Sequence, residues 1–191
     1  MAQARALNTK EMEQVLEHVN AGRHAHRNRC IVLLTHLAGL RVGEVASLRW
    51  MDVMTADGQI KEEVRLLPEM TKGKHARTVF ISTRLRHELQ QYADLYRRSA
   101  SLDCPLFYSQ KCVRSGFTAN SLTQTIAKLY RSAGLDGATS HSGRRTFLTN
   151  LANKGTAIHL LRTLAGHRSI STTATYLYSS PTQLKAAVEL A

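Results

Sequence analysis

The sequence predicts an α+β protein that is mostly α-helical and carries one small antiparallel β-sheet. Apolar residues recur at helical spacing in segments along most of the chain. The middle differs, because IKEEVRLLP and RTVFIS are rich in strand-forming residues and a basic, glycine-containing turn separates them. Many helices beside one minor sheet define this class, and 191 residues suit one domain with a sizeable core.

The first part of the chain predicts two helices, a break and a new helix start. Asn8 followed by Glu11 indicates a capping box, and the segment HRNRCIVLLTHLAGL predicts a more buried helix that stops near Gly39. Helix begins again in VGEVASLRW, with Arg41 at the break. Backbone N–H groups at a helix start attract anions, so this break with its guanidinium is a candidate anion site.

After the predicted hairpin the pattern returns to helix. The helical segments are TRLRHELQQYADLYRRSA, TANSLTQTIAKLYRSAGL, SGRRTFLTNLANKG, AIHLLRTLAG, TTATYLYSS and SPTQLKAAVEL. The sequence contains no internal repeat and no low-complexity tract.

The charge balance favours a polyanionic partner. Lysine and arginine number 26 against 14 acidic residues, a net charge of +12, and nucleic acid is the commonest partner of such a chain. A membrane partner is not expected, because the sequence has neither a basic amphipathic helix nor a lipidation signal. The N-terminus has no signal-peptide pattern. We expect a cytoplasmic, nucleoid-associated protein of a bacterium or a mobile element.

The potential metal ligands do not form a recognisable pattern. Cys30, Cys104 and Cys112 are widely spaced and form no CxxC pair, so free thiols are expected. The HAH motif at residues 24–26 has no second ligand group nearby and is interpreted as part of a basic surface. The sequence shows neither Mg²⁺-site spacing of carboxylates nor a Walker loop. We expect no metal and no other cofactor.

The segment TSHSGRRTFLTN carries a histidine and an arginine that can act on phosphate. His141 precedes Arg144 by three residues near a predicted helix start, so both side chains can reach one phosphate. An isolated pair of this kind is more often a solvated surface pair. Phosphodiester chemistry without a metal needs arginines for the charge, an acid for the leaving oxygen and a nucleophile, and tyrosine can be that nucleophile.

Four segments in order resemble the tyrosine recombinase (phage integrase) family. They are AGLRVGEVASLRW, TKGKHARTVFIS, HSGRR and LAGHRSISTTATY. The resemblance runs from about Leu7 onward and implies one recombinase catalytic domain over residues 1–191. It further implies a site-specific DNA recombinase that acts through a 3′-phosphotyrosyl intermediate, in integration, excision or inversion, without metal or cofactor.

The resemblance also implies a set of catalytic residues. They are Arg41, Lys72, His141, Arg144, His167 and Tyr176. By this resemblance the two arginines hold the scissile phosphate, and Lys72 is the general acid for the 5′-oxygen. His141 assists proton transfer, and His167 donates a hydrogen bond to the phosphate.

Two tyrosines near the end of the chain compete for the role of nucleophile. Tyr176 lies at the family's interval from His167, and Tyr178 does not. Residues two apart on one helix lie on nearly opposite sides, so both cannot face one phosphate. Tyr176 is therefore predicted as the nucleophile, and Tyr178 as a packing residue.

Several positions leave alternatives open or depart from the family pattern. Lys74 lies two residues from Lys72, which is preferred because it precedes the glycine of the turn. Glu44 either orients the first arginine or is an ordinary surface residue near a helix start. Gly143 replaces a larger apolar residue, which we expect to loosen the helix start, and Arg145 stands where a second histidine is common.

The expected partners are double-stranded DNA and further copies of this chain. The family resemblance implies a homo-oligomer on DNA, a tetrameric synapse, and admits accessory DNA-bending proteins. The C-terminal tail, about residues 180–191, either folds on its own domain or docks on a neighbouring protomer, and we expect trans docking. The usual N-terminal helical domain does not precede the first motif, and Met1 favours a naturally short recombinase over an excised fragment.

Three other functions remain as alternatives. A type IB topoisomerase-like nicking-closing enzyme would use nearly the same site. A non-catalytic DNA-binding regulator with a recombinase fold would not need Tyr176. A structural or RNA-binding protein is less favoured, because aromatic residues make up only 6% of the chain.

Overall fold

The computed structural model describes residues 4–71, 73–97, 101–109, 116–177 and 188–189. Within these ranges the chain forms nine α-helices and one two-stranded antiparallel sheet, which confirms the predicted α+β class. The elements in chain order are α1 (Thr9–Asn20), α2 (Ala25–Leu37), α3 (Val42–Ser47), α4 (Trp50–Val53), β1 (Glu63–Leu66), β2 (Arg77–Phe80), α5 (Thr83–Tyr96), α6 (Ala119–Ser132), α7 (Ser142–Asn153), α8 (Ile158–Ala165) and α9 (Ile170–Ala174).

The chain divides into two compact units, Met1–Phe147 and Leu148–Ala191. The first contains α1 to α6, both strands and the first half of α7. The second contains the rest of α7 together with α8 and α9. Of the predicted C-terminal tail, only residues 188–189 lie within the described ranges. In the ranges that the structure describes, no helix is long and apolar enough to cross a bilayer.

Helix α1 begins with the predicted capping box. The Asn8 side chain accepts a hydrogen bond from the Glu11 N–H, and the Glu11 carboxylate accepts one from the Asn8 N–H, both at 2.9 Å. These two bonds satisfy donors that a helix start leaves without intrahelical partners. The buried face of α1 consists of Met12, Val15, Leu16 and Val19.

Helix α2 lies at the centre of the first unit. It packs against α1, α3 and α5. Its consecutive residues Ile31, Val32, Leu33 and Leu34 are all fully buried. A run of this kind has no solvent-facing side, so neighbouring elements cover the helix on several sides. This packing holds the C-terminal end of α2 in place, and with it the start of the loop that follows.

The sheet is a single hairpin. Strands β1 and β2 pair antiparallel, with Glu63 opposite Phe80 and Leu66 opposite Arg77. Val64, Leu66 and Val79 are buried and turn one face of the sheet toward the core.

The connecting loop begins with a 3-10 turn at Pro68–Met70. The Thr71 hydroxyl accepts a hydrogen bond from the His75 N–H at 3.1 Å and lies 2.9 Å from the His75 carbonyl oxygen. Both contacts close the turn.

Candidate active site

Arg41 lies at the break between α2 and α3, as predicted. It is the residue that caps the start of α3, and its side chain is 28% exposed. The Glu44 carboxylate accepts a hydrogen bond from the Arg41 backbone N–H at 2.7 Å and one from Nη1 at 2.9 Å. The Glu44 carboxylate therefore lies at the helix start where the sequence predicted an anion site.

Glu44 is buried and shared between two arginines. Its side chain is 1% exposed, and Arg77 of β2 donates to it from Nη2 at 2.7 Å and from Nε at 3.3 Å. Burial raises the pKa of the Glu44 carboxyl, but the hydrogen bonds and charges of Arg77 and Arg41 outweigh burial, so this pKa lies below its ordinary value. The surface-residue interpretation of Glu44 is wrong, and its contacts are those of an orienting group.

Arg144 reaches the same break from helix α7. It is buried, and its Nη1 donates a hydrogen bond to the carbonyl oxygen of Gly39, two residues before Arg41. Gly39 has a φ of +62°, and a Cβ there would lie 2.4 Å from Cδ1 of Phe147. Only glycine tolerates both this backbone conformation and this close approach of Phe147, so the loop at Gly39 can pack against α7. His141 lies directly before α7 and is exposed.

Gly143 lies in the first turn of α7, and the loosening of this helix start stays a prediction. A Cβ at this position would lie 2.2 Å from the Thr35 hydroxyl oxygen, 3.0 Å from Thr35 Cβ and 3.2 Å from the Tyr130 hydroxyl. The absent side chain therefore lets α7 pack closely against α2 and α6. The prediction considered only the backbone freedom of glycine and not the contacts of its neighbours.

The second unit holds the other predicted site residues, His167 and Tyr176. Helix α8 ends at Ala165 and is capped by Gly166, whose φ of +60° is left-handed, and His167 follows at once. The Nδ1 atom of His167 lies 3.0 Å from the Thr173 hydroxyl. The Tyr176 N–H donates to the Thr173 carbonyl at 3.0 Å, so one buried threonine contacts both residues.

The rings of His167 and Tyr176 lie together. Their centroids are 5.9 Å apart, and the ring planes differ by 19°. The structure thus brings together, within the second unit, the predicted nucleophile and a predicted phosphate ligand.

Tyr176 lies in a turn and not in a helix. Helix α9 ends at Ala174, so the argument that two tyrosines occupy opposite sides of one helix does not apply. Tyr178 is outside the described residues. The preference for Tyr176 rests on its interval from His167 and on the ring contact between them.

Lys72, the predicted general acid, also lies outside the described residues. Lys74, the alternative, is exposed and has a φ of 51°. The choice of Lys72 stays a prediction.

The described residues contain no group of three or more histidine, cysteine, aspartate or glutamate side chains that can hold a metal ion. Cys30 and Cys104 are free thiols, as expected, and Cys112 is outside the described residues. Burial raises the pKa of the Cys30 thiol, so this thiol stays protonated in the core.

Two residues with a place in these clusters were not predicted. Arg77 reaches Glu44 only because of how β2 packs beside α3, which no local pattern encodes. Thr173 stands among similar residues in the segment STTATY, and the sequence does not distinguish it from Thr172. Its complete burial and its contact with His167 emerge only from the fold.

Residues 5–183 match the phage integrase family, and the chain belongs to this family. Among curated relatives, transposase A from transposon Tn554 of Staphylococcus aureus is 28% identical over 96% of this chain. The tyrosine recombinase XerA of Pyrococcus furiosus is 29% identical over 98% of it. The chain covers 51% of the first and 62% of the second, so it spans between half and two thirds of these relatives.

Solved structures confirm the recombinase catalytic-domain fold. A XerA recombinase structure superimposes with a TM-score of 0.78 at 24% identity, over 100% of this chain and 66% of that one. The catalytic domain of bacteriophage HP1 integrase superimposes with a TM-score of 0.66 at 22% identity, over 98% and 95% of the two chains.

Proposed function

We propose that this protein is a site-specific DNA recombinase that cuts and rejoins DNA through a 3′-phosphotyrosyl intermediate. The observation that carries the proposal is the pairing of Tyr176 with His167 around Thr173, in a chain of the phage integrase family. A tyrosine held beside a histidine that can bind the phosphate suits phosphotyrosyl chemistry, because a nucleophile depends on the groups next to it.

The covalent step exchanges one phosphorus–oxygen bond for another. The Tyr176 phenol oxygen attacks the scissile phosphorus and loses its proton, while the bond to the 5′-oxygen breaks. Lys72 is the proposed donor of the proton that converts the leaving oxygen to a 5′-hydroxyl. A 5′-hydroxyl from a partner strand then attacks the phosphotyrosine and releases Tyr176, so the number of phosphodiester bonds is conserved.

The proposed roles of the remaining residues concern charge. Arg41 and Arg144 hold the non-bridging oxygens, His167 donates to one of them, and His141 assists proton transfer. Arginine suits this role because its planar fork can donate two hydrogen bonds to a phosphate. We expect the loss of either arginine to cost about 3 kcal/mol of transition-state stabilisation, as for an oxyanion-hole donor.

The proposed partner is double-stranded DNA. Structural neighbours include a XerH site-specific recombinase bound to its difH substrate and a Tn1549 transposon integrase in complex with transposon right end DNA. Exchange of two duplexes cuts four strands, and we propose that four copies of this chain assemble on DNA, with accessory DNA-bending proteins as further partners. We propose that the protein acts on DNA in the cytoplasm, at the nucleoid.

The test is covalent trapping on DNA. The substrates are duplexes taken from the DNA that flanks the gene of this protein, and each is nicked beside a candidate site. After cleavage the short 5′-hydroxyl fragment diffuses away, so the covalent intermediate cannot be resealed and is trapped. We expect a protein–DNA adduct on a denaturing gel with EDTA present, and we expect Tyr176→Phe to abolish it because phenylalanine lacks the attacking oxygen.

Tyr178→Phe is the matched control, since it removes a second phenol from the same segment and should leave the adduct intact. An adduct that survives Tyr176→Phe would contradict the assignment of the nucleophile. Transfer of the trapped strand to a second duplex carrying the same site supports a recombinase, whereas relaxation of any supercoiled plasmid without site preference would support the topoisomerase alternative.

A further inference from the structure

We propose that Arg77 is a positioning residue for the cleavage reaction, acting through the Glu44 carboxylate on the guanidinium of Arg41. The inference rests on the proposed function, because it assigns Arg41 to the scissile phosphate. Arg77 itself does not contact the reacting atoms in this proposal.

The geometry is that of one carboxylate between two guanidinium groups. Oε1 of Glu44 accepts from Arg41 Nη1 at 2.9 Å and from Arg77 Nε at 3.3 Å. Oε2 accepts from the Arg41 backbone N–H and from Arg77 Nη2, both at 2.7 Å. Both oxygens therefore have a donor from each arginine, and the orientation of the carboxylate is fixed from two sides.

Burial differs along this chain of contacts. The exposed fraction of the side chain is 28% for Arg41, 1% for Glu44 and 9% for Arg77. A buried carboxylate is strongly destabilising unless it is paired and hydrogen-bonded. Arg77 supplies the more deeply buried of the two pairs, so Glu44 depends on it more than on the solvent-facing Arg41.

The charge of the cluster also depends on Arg77. Two guanidinium groups and one carboxylate carry a net charge of +1, whereas Arg41 and Glu44 alone are neutral. Among the described residues, loss of Arg77 thus leaves Arg41 as the sole cationic partner of a buried anion, and the cluster attracts a phosphate less strongly.

Arg77 also connects two elements mechanically. It lies at the first position of β2, and Arg41 lies at the start of α3, so the shared carboxylate links the hairpin to the helix. Misplacement of a reacting group by about 1 Å can cost about 10²-fold in rate. We therefore expect Arg77→Gln to lower the cleavage rate by about 10²-fold on saturating DNA.

The cleavage position is first mapped with the wild-type protein. The decisive experiment then compares two DNA substrates that differ only at this position. One carries the natural phosphodiester, and the other carries a methylphosphonate, in which a methyl group replaces one charged oxygen. Arginines that neutralise charge matter less on the neutral substrate. The ratio of the two single-turnover rates is measured for each variant, and this ratio does not depend on the folded fraction of a preparation.

Arg29→Gln is the matched control. Arg29 forms a comparable bidentate pair with Glu88, at 2.7 and 2.6 Å, between α2 and α5. Its loss removes the same charge and a partly buried ion pair without touching Glu44. Arg77→Lys keeps the charge of the cluster but loses the fork, and serves as the conservative variant.

We expect Arg77→Gln to cleave the methylphosphonate at a rate much closer to wild type than it cleaves the phosphodiester. Arg77→Lys should give an intermediate ratio, and Arg29→Gln the wild-type ratio. An Arg77→Gln variant that slows equally on both substrates would overturn the positioning role, while leaving the proposed function intact. A wild-type protein that forms no adduct on either substrate would overturn both.

Discussion

Thr173 shows how one buried threonine contacts two residues of the proposed site. Its side-chain oxygen lies 3.0 Å from His167 Nδ1, and its carbonyl accepts the Tyr176 N–H. A hydrogen bond to one ring nitrogen sets the orientation of the imidazole and what the other nitrogen can donate. Thr173 is therefore a candidate for orienting His167 toward the scissile phosphate.

We expect Thr173→Val to slow covalent cleavage by about tenfold, because a single hydrogen bond contributes roughly 1 kcal/mol. Valine keeps the shape of threonine, so the buried site should stay packed. The measurement is the single-turnover rate of adduct formation on the nicked duplex.

Thr173→Ser is the control for this prediction, because it keeps the hydroxyl and removes only a methyl group. Serine should retain most of the rate. Equal rates for the valine and serine variants would argue that the hydroxyl has no role in orienting His167.

The close packing of α7 depends on the absence of one side chain. Gly143 lies in the first turn of α7, facing Thr35 of α2 and Tyr130 of α6. A methyl group at this position would lie 2.2 Å from the Thr35 hydroxyl oxygen, well inside van der Waals contact. Arg144 is the next residue and is proposed to bind the scissile phosphate, so any displacement of α7 here also moves its guanidinium group.

We expect Gly143→Ala to lower the free energy of unfolding by about 1–3 kcal/mol, the usual cost of overpacking a buried site. The same variant should slow cleavage, because α7 carries Arg144. Urea denaturation followed by circular dichroism measures the first effect, and trapping on the nicked duplex measures the second.

Gly43→Ala is the matched control, since Gly43 also lies in the first turn of a helix and, in the part of the chain that the structure describes, its added Cβ would meet only Ala119 Cβ at 3.7 Å. Alanine there should be neutral or stabilise by up to about 1 kcal/mol. Thr35→Ala combined with Gly143→Ala should cost less than the sum of the two single changes. Strict additivity would show that the contact with Thr35 is not the cause.

At the scale of elements, local patterns predicted most of what the structure contains. The capping box of Asn8 and Glu11, the end of α2 before Gly39 and the two strands were all predicted from short segments. The predictions that failed concern where a helix ends and which residues contact one another. The segment TTATYLYSS was predicted as helix through both tyrosines, yet α9 ends at Ala174, because β-branched threonines and a short apolar pattern specify helix weakly.

The charge of the whole molecule predicts the salt dependence of the proposed DNA binding. A net charge of +12 lets many cationic side chains displace counterions from DNA phosphates. If about six to ten phosphates are contacted, affinity should fall by about 10³ to 10⁵ between 50 and 200 mM salt.

Fluorescence anisotropy of a labelled duplex measures this slope, and Tyr176→Phe is the form to use because it lacks the proposed nucleophile and should form no covalent adduct. A duplex without the cleavage site is the control and should show a similar slope, since phosphate contacts carry no sequence information. A slope near zero would contradict binding through the phosphate backbone.

The sequence by itself determined the fold class, the order of the helices and strands, and the motifs that identify the family. These features depend on hydrophobic periodicity, capping residues and spacing, which act over a few neighbouring residues. Only the tertiary structure decided that Glu44 is buried between Arg41 and Arg77, and that Gly143 packs on Thr35 and Tyr130. Such contacts join residues far apart in the chain, and their geometry follows from how whole elements pack into a dense core.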